Sequence, residues 1–121
     1  MGKKILSVDD SASVRQMVAF TLRSAGYEVI EACDGRDALG QIKSASVDMV
    51  ITDLNMPVMD GVELIKALRS EPAFKFTPIV MLTTESGVDK KTAGREAGAT
   101  GWMVKPFKPE ELLSVVKRLI G

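Results

Sequence analysis

The chain contains no histidine, and that absence governs any reading of its chemistry. Without an imidazole there is no usual general base near neutral pH, no commonest metal ligand and no phosphohistidine on this chain. Cysteine occurs once, at Cys33, which excludes an internal disulfide and fits a reducing compartment. The simplest expectation for that thiol is a small buried hydrophobe. Long apolar runs are missing too. The N-terminal run, Ile5 to Val8, is far too short for a signal peptide or a membrane span, so a cytoplasmic protein is expected. Neither sign of charge is in excess: 16 basic and 16 acidic side chains cancel, leaving no global field to steer the chain to nucleic acid or an anionic membrane. Oxygen chemistry and lysine are what remain for a site.

What is present describes an ordinary globule. With 121 residues, 45% of them hydrophobic and 26% charged, the chain has the size and composition of a single domain spanning residues 1–121. No repeat, linker or low-complexity segment divides it, and the reading expects no attached output module. Short apolar runs alternate with helix-spaced patterns. Strands are expected at Lys4–Val8, Tyr27–Ala32, Met49–Thr52, Ile79–Leu82 and Gly101–Val104. Helices are expected on Val14, Met17, Val18, Thr21, Leu22 and Ala25 (with Gly26 as the stop), on Ala38, Leu39, Ile42 and Ala45, and on Val62, Ile65 and Leu68 with Leu64 flanking that face. Val88 to Ala97 is a weaker helix interrupted by Gly94. Pro109 opens a last one whose core face is Leu112, Leu113, Val116, Leu119 and Ile120. Strict alternation of strand and helix predicts an α/β fold, a doubly wound parallel sheet with helices on both faces.

In such sheets ligands bind beyond the carboxyl ends of the strands. The first strand ends in Asp9-Asp10, the third in Asp53, the fourth in Thr83-Thr84 and the fifth in Lys105-Pro106. Any one of these has a bland reading; Asp10, for example, suits a cap for the helix beginning near Ala12. Coincidence at four strand ends is harder to accept. Two carboxylates about 4 Å apart repel by roughly 4 kcal/mol at an effective dielectric near 20, and Lys105 alone does not balance three. An oxygen-only ligand set selects a hard cation, Mg²⁺ or Mn²⁺, and Mg²⁺ leaves positions open for a phosphate. Calcium ranks lower, because no loop of the D-x-[DN]-x-[DN]-G type occurs.

The stretches "VDDS" at Val8 to Ser11, "TDLNMPVMDG" at Thr52 to Gly61, "LTT" at Leu82 to Thr84 and "VKPF" at Val104 to Phe107 resemble the receiver domains of two-component response regulators. With "VDDSASVRQMV" and "GATGWMVKPF", the chain is most similar to the stand-alone, chemotaxis CheY-type subgroup. The resemblance implies strand order 2-1-3-4-5, five helices, and a phosphorylation-activated switch rather than a turnover enzyme. It implies that Asp53 accepts a phosphoryl group from a CheA-like histidine kinase. Asp10 and Asp53 would bind Mg²⁺ through their side chains, Asn55 through its backbone carbonyl and Asp9 mainly through water. Lys105, aimed at the site by a cis Lys105-Pro106 bond, and the Thr83 hydroxyl would contact the phosphoryl group, and Trp102 would be the aromatic that turns inward. Glu85 and Asn55 would flank the entrance. The output face would be the fourth helix, fifth strand and fifth helix, with Lys90, Lys91, Arg95, Trp102 and Lys108. A downstream partner such as a flagellar motor switch protein would read it, or the chain would serve as a phosphate sink without a motor target; a phosphatase would reset it, and the switch would act as a monomer.

Other classes fit less well. An aspartyl-nucleophile phosphohydrolase of the haloacid-dehalogenase pattern wants Asp-x-Asp at the first strand's end, where this chain has Asp9-Asp10. Gly35 to Gly40 has Walker-like glycine spacing, but Gln41 and Ile42 stand where Lys and Ser or Thr belong.

Overall fold

Strands and helices alternate without exception in the computed structural model, which describes residues 3–84 and 88–121, and of residues 88–91 the backbone alone. Glu85 and the side chains of Val88, Lys90 and Lys91 therefore lie outside the described residues. The strands are β1 (Lys4–Val8), β2 (Glu28–Ala32), β3 (Met49–Asp53), β4 (Ile79–Thr83) and β5 (Gly101–Val104). The helices are α1 (Ala12–Ser24), α2 (Gly35–Ile42), α3 (Gly61–Arg69), α4 (Val88–Ala97) and α5 (Pro109–Ile120), with one 3₁₀ turn at Pro72–Phe74. All pairings are parallel and the sheet order is β2-β1-β3-β4-β5.

Alternation of side chains along each central strand divides the core in two. Leu6, Val8, Val50, Ile79 and Met81 face Ala38, Leu64, Ile65, Leu68 and Ala97 of α2, α3 and α4. Ile5, Met49, Ile51, Val80 and Leu82 face Val18 and Leu22 of α1 and Leu112 and Val116 of α5. Every residue of β3 and β4 is buried, as expected of strands covered on both faces.

The helix starts follow from their capping residues. The Ser11 side chain accepts the Val14 N–H, and Asp34 accepts that of Asp37 at 2.8 Å. Asp60 and Glu63 accept each other's backbone N–H groups, at 2.8 and 3.1 Å, to open α3. Asp10 is not the cap of α1, because Ser11 fills that role.

Several expectations shift. β2 begins at Glu28, since the Tyr27 N–H returns to the Leu22 carbonyl at 3.1 Å and its ring enters the core. α2 ends at Ile42, before Ala45, and β3 and β4 each run one residue further, to Asp53 and Thr83. In α3 the buried face is Leu64, Ile65 and Leu68, with Val62 at its edge. In α5 only Leu112 and Val116 are fully buried, while Leu113, Leu119 and Ile120 pack at the margin. Gly94 does not interrupt α4. A Cβ there would lie 2.6 Å from Met81 Cε, so the glycine is what lets the helix approach the sheet. Cys33 is exposed, not buried: it follows the last residue of β2, and its N–H is held by Asp37 at the surface.

Arg69, at the end of α3, ties two connections together, the one between α3 and β4 and the one between α4 and β5. Its guanidinium donates to the carbonyls of Phe74 and Thr77, each at 2.7 Å, of Lys75 at 3.2 Å, and of Gly98 at 2.8 and 3.0 Å. No short side chain replaces that fork. Arg69→Ala is expected to lower stability by about 3 kcal/mol, read as a lower urea midpoint at an unchanged slope.

Candidate functional site

The sheet delivers its polar residues to the carboxyl edge. β1 leads into Asp9, 1% exposed; the neighbouring β3 ends on Asp53, 6% exposed; the adjoining β4 ends on the fully buried Thr83. Beyond β5, Lys105 is drawn back toward β4 by its own N–H, which donates to the Thr83 carbonyl at 2.7 Å. The Lys105-Pro106 bond is cis. The Lys105 ammonium lies 3.0 Å from Asp9 Oδ2 and 3.1 Å from Asp53 Oδ1, so one cation joins two buried carboxylates. Asp9 Oδ1 accepts the Ser11 N–H at 2.9 Å. Asp53 Oδ1 accepts the Leu54 N–H at 2.9 Å, a donor shared with the Leu82 carbonyl at 2.8 Å. The Leu54 N–H, itself anchored to the Leu82 carbonyl of β4, thus helps aim the Asp53 side chain.

Electrostatics follows from this crowding. Burial, then the Asp9 carboxylate, raise the Asp53 pKa above its ordinary 3.8, and Lys105 and the Leu54 N–H offset only part of that. Burial alone would lower the Lys105 pKa. Its hydrogen bonds and charge attraction to Asp9 and Asp53 outweigh burial and raise it above 10.5, so the side chain is an ammonium throughout the physiological range.

Asp10 is exposed, yet one of its carboxylate oxygens lies within 4.8 Å of oxygens from Asp9 and Asp53. Three carboxylates with one ammonium leave unneutralised negative charge at a site open on the Asp10 side. Such a donor set fits a hard divalent cation of the Mg²⁺ or Mn²⁺ kind. Of the residues expected from sequence, Asp9, Asp10, Asp53 and Lys105 are brought together. Thr83 sits on the strand beside Asp53, and Asn55 is exposed in the loop that follows it. Trp102 lies partly buried on the edge strand β5, with the Arg95 guanidinium 5.6 Å from its ring centre.

Gly61 belongs to the site in a way that composition did not show. Its N–H donates to the Leu54 carbonyl at 2.8 Å, and a Cβ on it would lie 2.5 Å from the Asp53 carbonyl oxygen. The start of α3 therefore rests directly on the peptide that carries Asp53. Gly61→Ala is expected to cost about 2 kcal/mol through overpacking, seen as a lower melting temperature. Between Asp53 and Gly61, Val58 holds a left-handed backbone with φ 71°, across which the Met59 N–H reaches the Pro57 carbonyl at 2.7 Å. A β-branched residue is strained there.

Comparison with known proteins places these features in context. A family model described as the response regulator receiver domain matches residues 5–117. The chain is 54% identical to the chemotaxis response regulator CheY4 of Vibrio cholerae, covering 99% of this chain and 100% of that one, with a TM-score of 0.95. It is 40% identical over 120 residues to the chemotaxis protein CheY1 of Helicobacter pylori, covering 98% and 97% of the two chains. The receiver domain of the sensor histidine kinase PA1611 of Pseudomonas aeruginosa, solved with a magnesium ion coordinated in its active-site cleft, is 30% identical with a TM-score of 0.92, covering 100% and 99%. The chain spans about half the length of other curated relatives, which are transcriptional regulatory proteins.

Proposed function

From the premise that this chain belongs to the response regulator receiver family, within which its relatives include CheY-type chemotaxis proteins, we propose that it is a phosphorylation-gated switch with Asp53 as the phosphoacceptor. The observation that carries this reading is the Lys105 ammonium held between Asp9 and Asp53, with Asp10 beside them.

In the proposed reaction an oxygen of the ionised Asp53 forms a bond to phosphorus as the bond from phosphorus to the donor's imidazole nitrogen breaks, and the departing nitrogen keeps the electron pair. The Leu54 N–H, which donates to Asp53 Oδ1, orients the carboxylate, which is the positional part of the catalysis. Lys105 already touches the oxygen that changes charge, and it stays close enough to pair with the phosphoryl group afterwards. Asp9, Asp10 and Asp53, with the Asn55 carbonyl, are the residues that would hold Mg²⁺. When bound, that ion supplies charge neutralisation to phosphoryl oxygens. The magnesium seen in the related PA1611 receiver supports this assignment.

Thr83 is proposed to donate its hydroxyl to the phosphoryl group, and Trp102 to respond on β5. The output face is then α4, β5 and α5. An open groove of about 600 Å³, bordered by Trp102, Val104, Glu111 and Arg118, runs along β5 and α5 and supports a protein partner there. A CheA-like histidine kinase is the proposed donor, and a motor switch protein the proposed target, with action in the cytoplasm. Among the described residues no helix is long and apolar enough to cross a membrane.

Incubation with acetyl phosphate and Mg²⁺, followed by intact mass measurement, tests the reading. One phosphoryl mass is expected per chain, absent when EDTA is included. An unchanged mass with Mg²⁺ present would overturn it.

A further inference from the structure

A second set of charges lies behind the acidic site, on the side away from Lys105. Arg15, on the first turns of α1, donates from Nη1 to the backbone carbonyl of Asp9 at 2.6 Å. Its Nε lies 3.5 Å from Glu31 Oε1 on β2, and the other Glu31 oxygen lies 3.3 Å from Arg23 Nη1. Arg23 in turn donates to the Val29 carbonyl at 3.0 Å, and Gln41 donates to the Glu31 carbonyl at 3.2 Å. The Arg15 and Glu31 side chains are 20% and 30% exposed, so both are partly shielded from solvent.

The contact falls at a telling place. The Asp9 N–H is held by the Ala32 carbonyl at 3.1 Å, and its side chain by Ser11 and Lys105. Its carbonyl belongs to the peptide leading into Asp10, and Arg15 is what holds it. Asp10 is itself exposed, so the direction of its carboxylate depends on that peptide plane. From this geometry we infer that Arg15, braced by Glu31, is a positioning residue that aims the Asp10 carboxylate into the cation site. The inference rests on the metal reading above, and concerns a residue that touches neither the metal nor the phosphoryl group.

Charge and position make opposite predictions, which gives the test a sign. As a bare positive charge, Arg15 repels a divalent cation, and removing it tightens Mg²⁺ binding. As a support for the ligand turn, its removal loosens Mg²⁺ binding; losing an outer support of a metal ligand costs about tenfold or more in affinity. Mg²⁺ affinity is measured by titration calorimetry on the full chain at low ionic strength, where the bare-charge effect is largest. Arg15→Met and Arg15→Gln are measured separately, with far-UV circular dichroism and melting in EDTA to show that each folds. Both are expected to bind Mg²⁺ about tenfold more weakly than wild type while melting within a few degrees of it in EDTA. Binding as tight as wild type, or tighter, in either folded variant would overturn the inference and leave the metal site intact. A wild-type chain that does not bind Mg²⁺ would instead remove the site, and the inference with it.

Discussion

Asp53→Asn is expected to abolish phosphoryl uptake and, at the same time, to raise the melting temperature of the metal-free protein at neutral pH. The first effect follows from chemistry, because an amide is not a nucleophile toward phosphorus under these conditions. The second follows from linkage. The folded pKa of Asp53 lies above its ordinary 3.8, raised by burial and by Asp9. A carboxyl raised on folding favours the folded state below its unfolded pKa, and that contribution is lost as pH rises through the folded value. At neutral pH the ionised Asp53 is therefore a net cost to the fold, and the isosteric amide removes it while its oxygen can still accept the Leu54 N–H. The gain should shrink as pH falls through the raised folded value, where the wild-type carboxyl takes up its proton. Intact mass after acetyl phosphate treatment, beside melting curves in EDTA across pH, checks both halves. Continued single labelling of Asp53→Asn would place the acceptor elsewhere, and a lower melting temperature at neutral pH would contradict the electrostatic account.

Lys105→Ala acts in the opposite direction and with the larger effect on stability. Asp9 and Asp53 would lose the ammonium that pairs with both, at 3.0 and 3.1 Å, with their side chains only 2% and 9% exposed. Removing one member of a buried ion pair typically costs 3–5 kcal/mol; the site is open on its Asp10 side, so a loss of about 3 kcal/mol is expected without metal. The Lys105 pKa is raised on folding, so its stabilisation is fully present below its ordinary 10.5 and is lost only as pH climbs through the higher folded value. The deficit should therefore be undiminished at neutral pH. It should also be largely relieved by Mg²⁺, since a divalent cation can take over the screening. Melting with and without Mg²⁺ separates this from a simple packing loss, which the ion would not repair.

The strand ends were legible because they rest on residues that announce themselves, whereas the sheet order came only with the resemblance to receiver domains. The runs of β3 and β4, buried along their whole length, are the clearest of these. Acidic residues at the ends of β1 and β3 stand out against such runs. The placement of Leu64 was harder: in α3 it lies beside Ile65, and which of two neighbours faces the sheet depends on the entry angle set by Asp60 and Gly61. Arg15 and Arg69 left no trace in the pattern, since both act on backbone carbonyls, which every residue has. The spacing of Arg15, six positions after Asp9 on the first turns of a helix, would have served only once the helix start at Ala12 was known. Gly94 read as a break because glycine disfavours helices, whereas the close approach of Met81 made its missing side chain the useful property. Cys33 read as buried from its residue type, but β2 is an edge strand and the chain leaves the core at Ala32.

The chain has one tryptophan, and the fold sets it on the opposite edge of the sheet from β2, partly buried against Arg95. Optically, this makes the protein a single-channel instrument. Its indole emission arises at one address, on the strand whose end leads into Lys105. The guanidinium beside the ring would draw in iodide and repel caesium, so the pair of quenchers would report whether Arg95 still covers the ring. The β5 edge can thus be followed in solution without attaching a label.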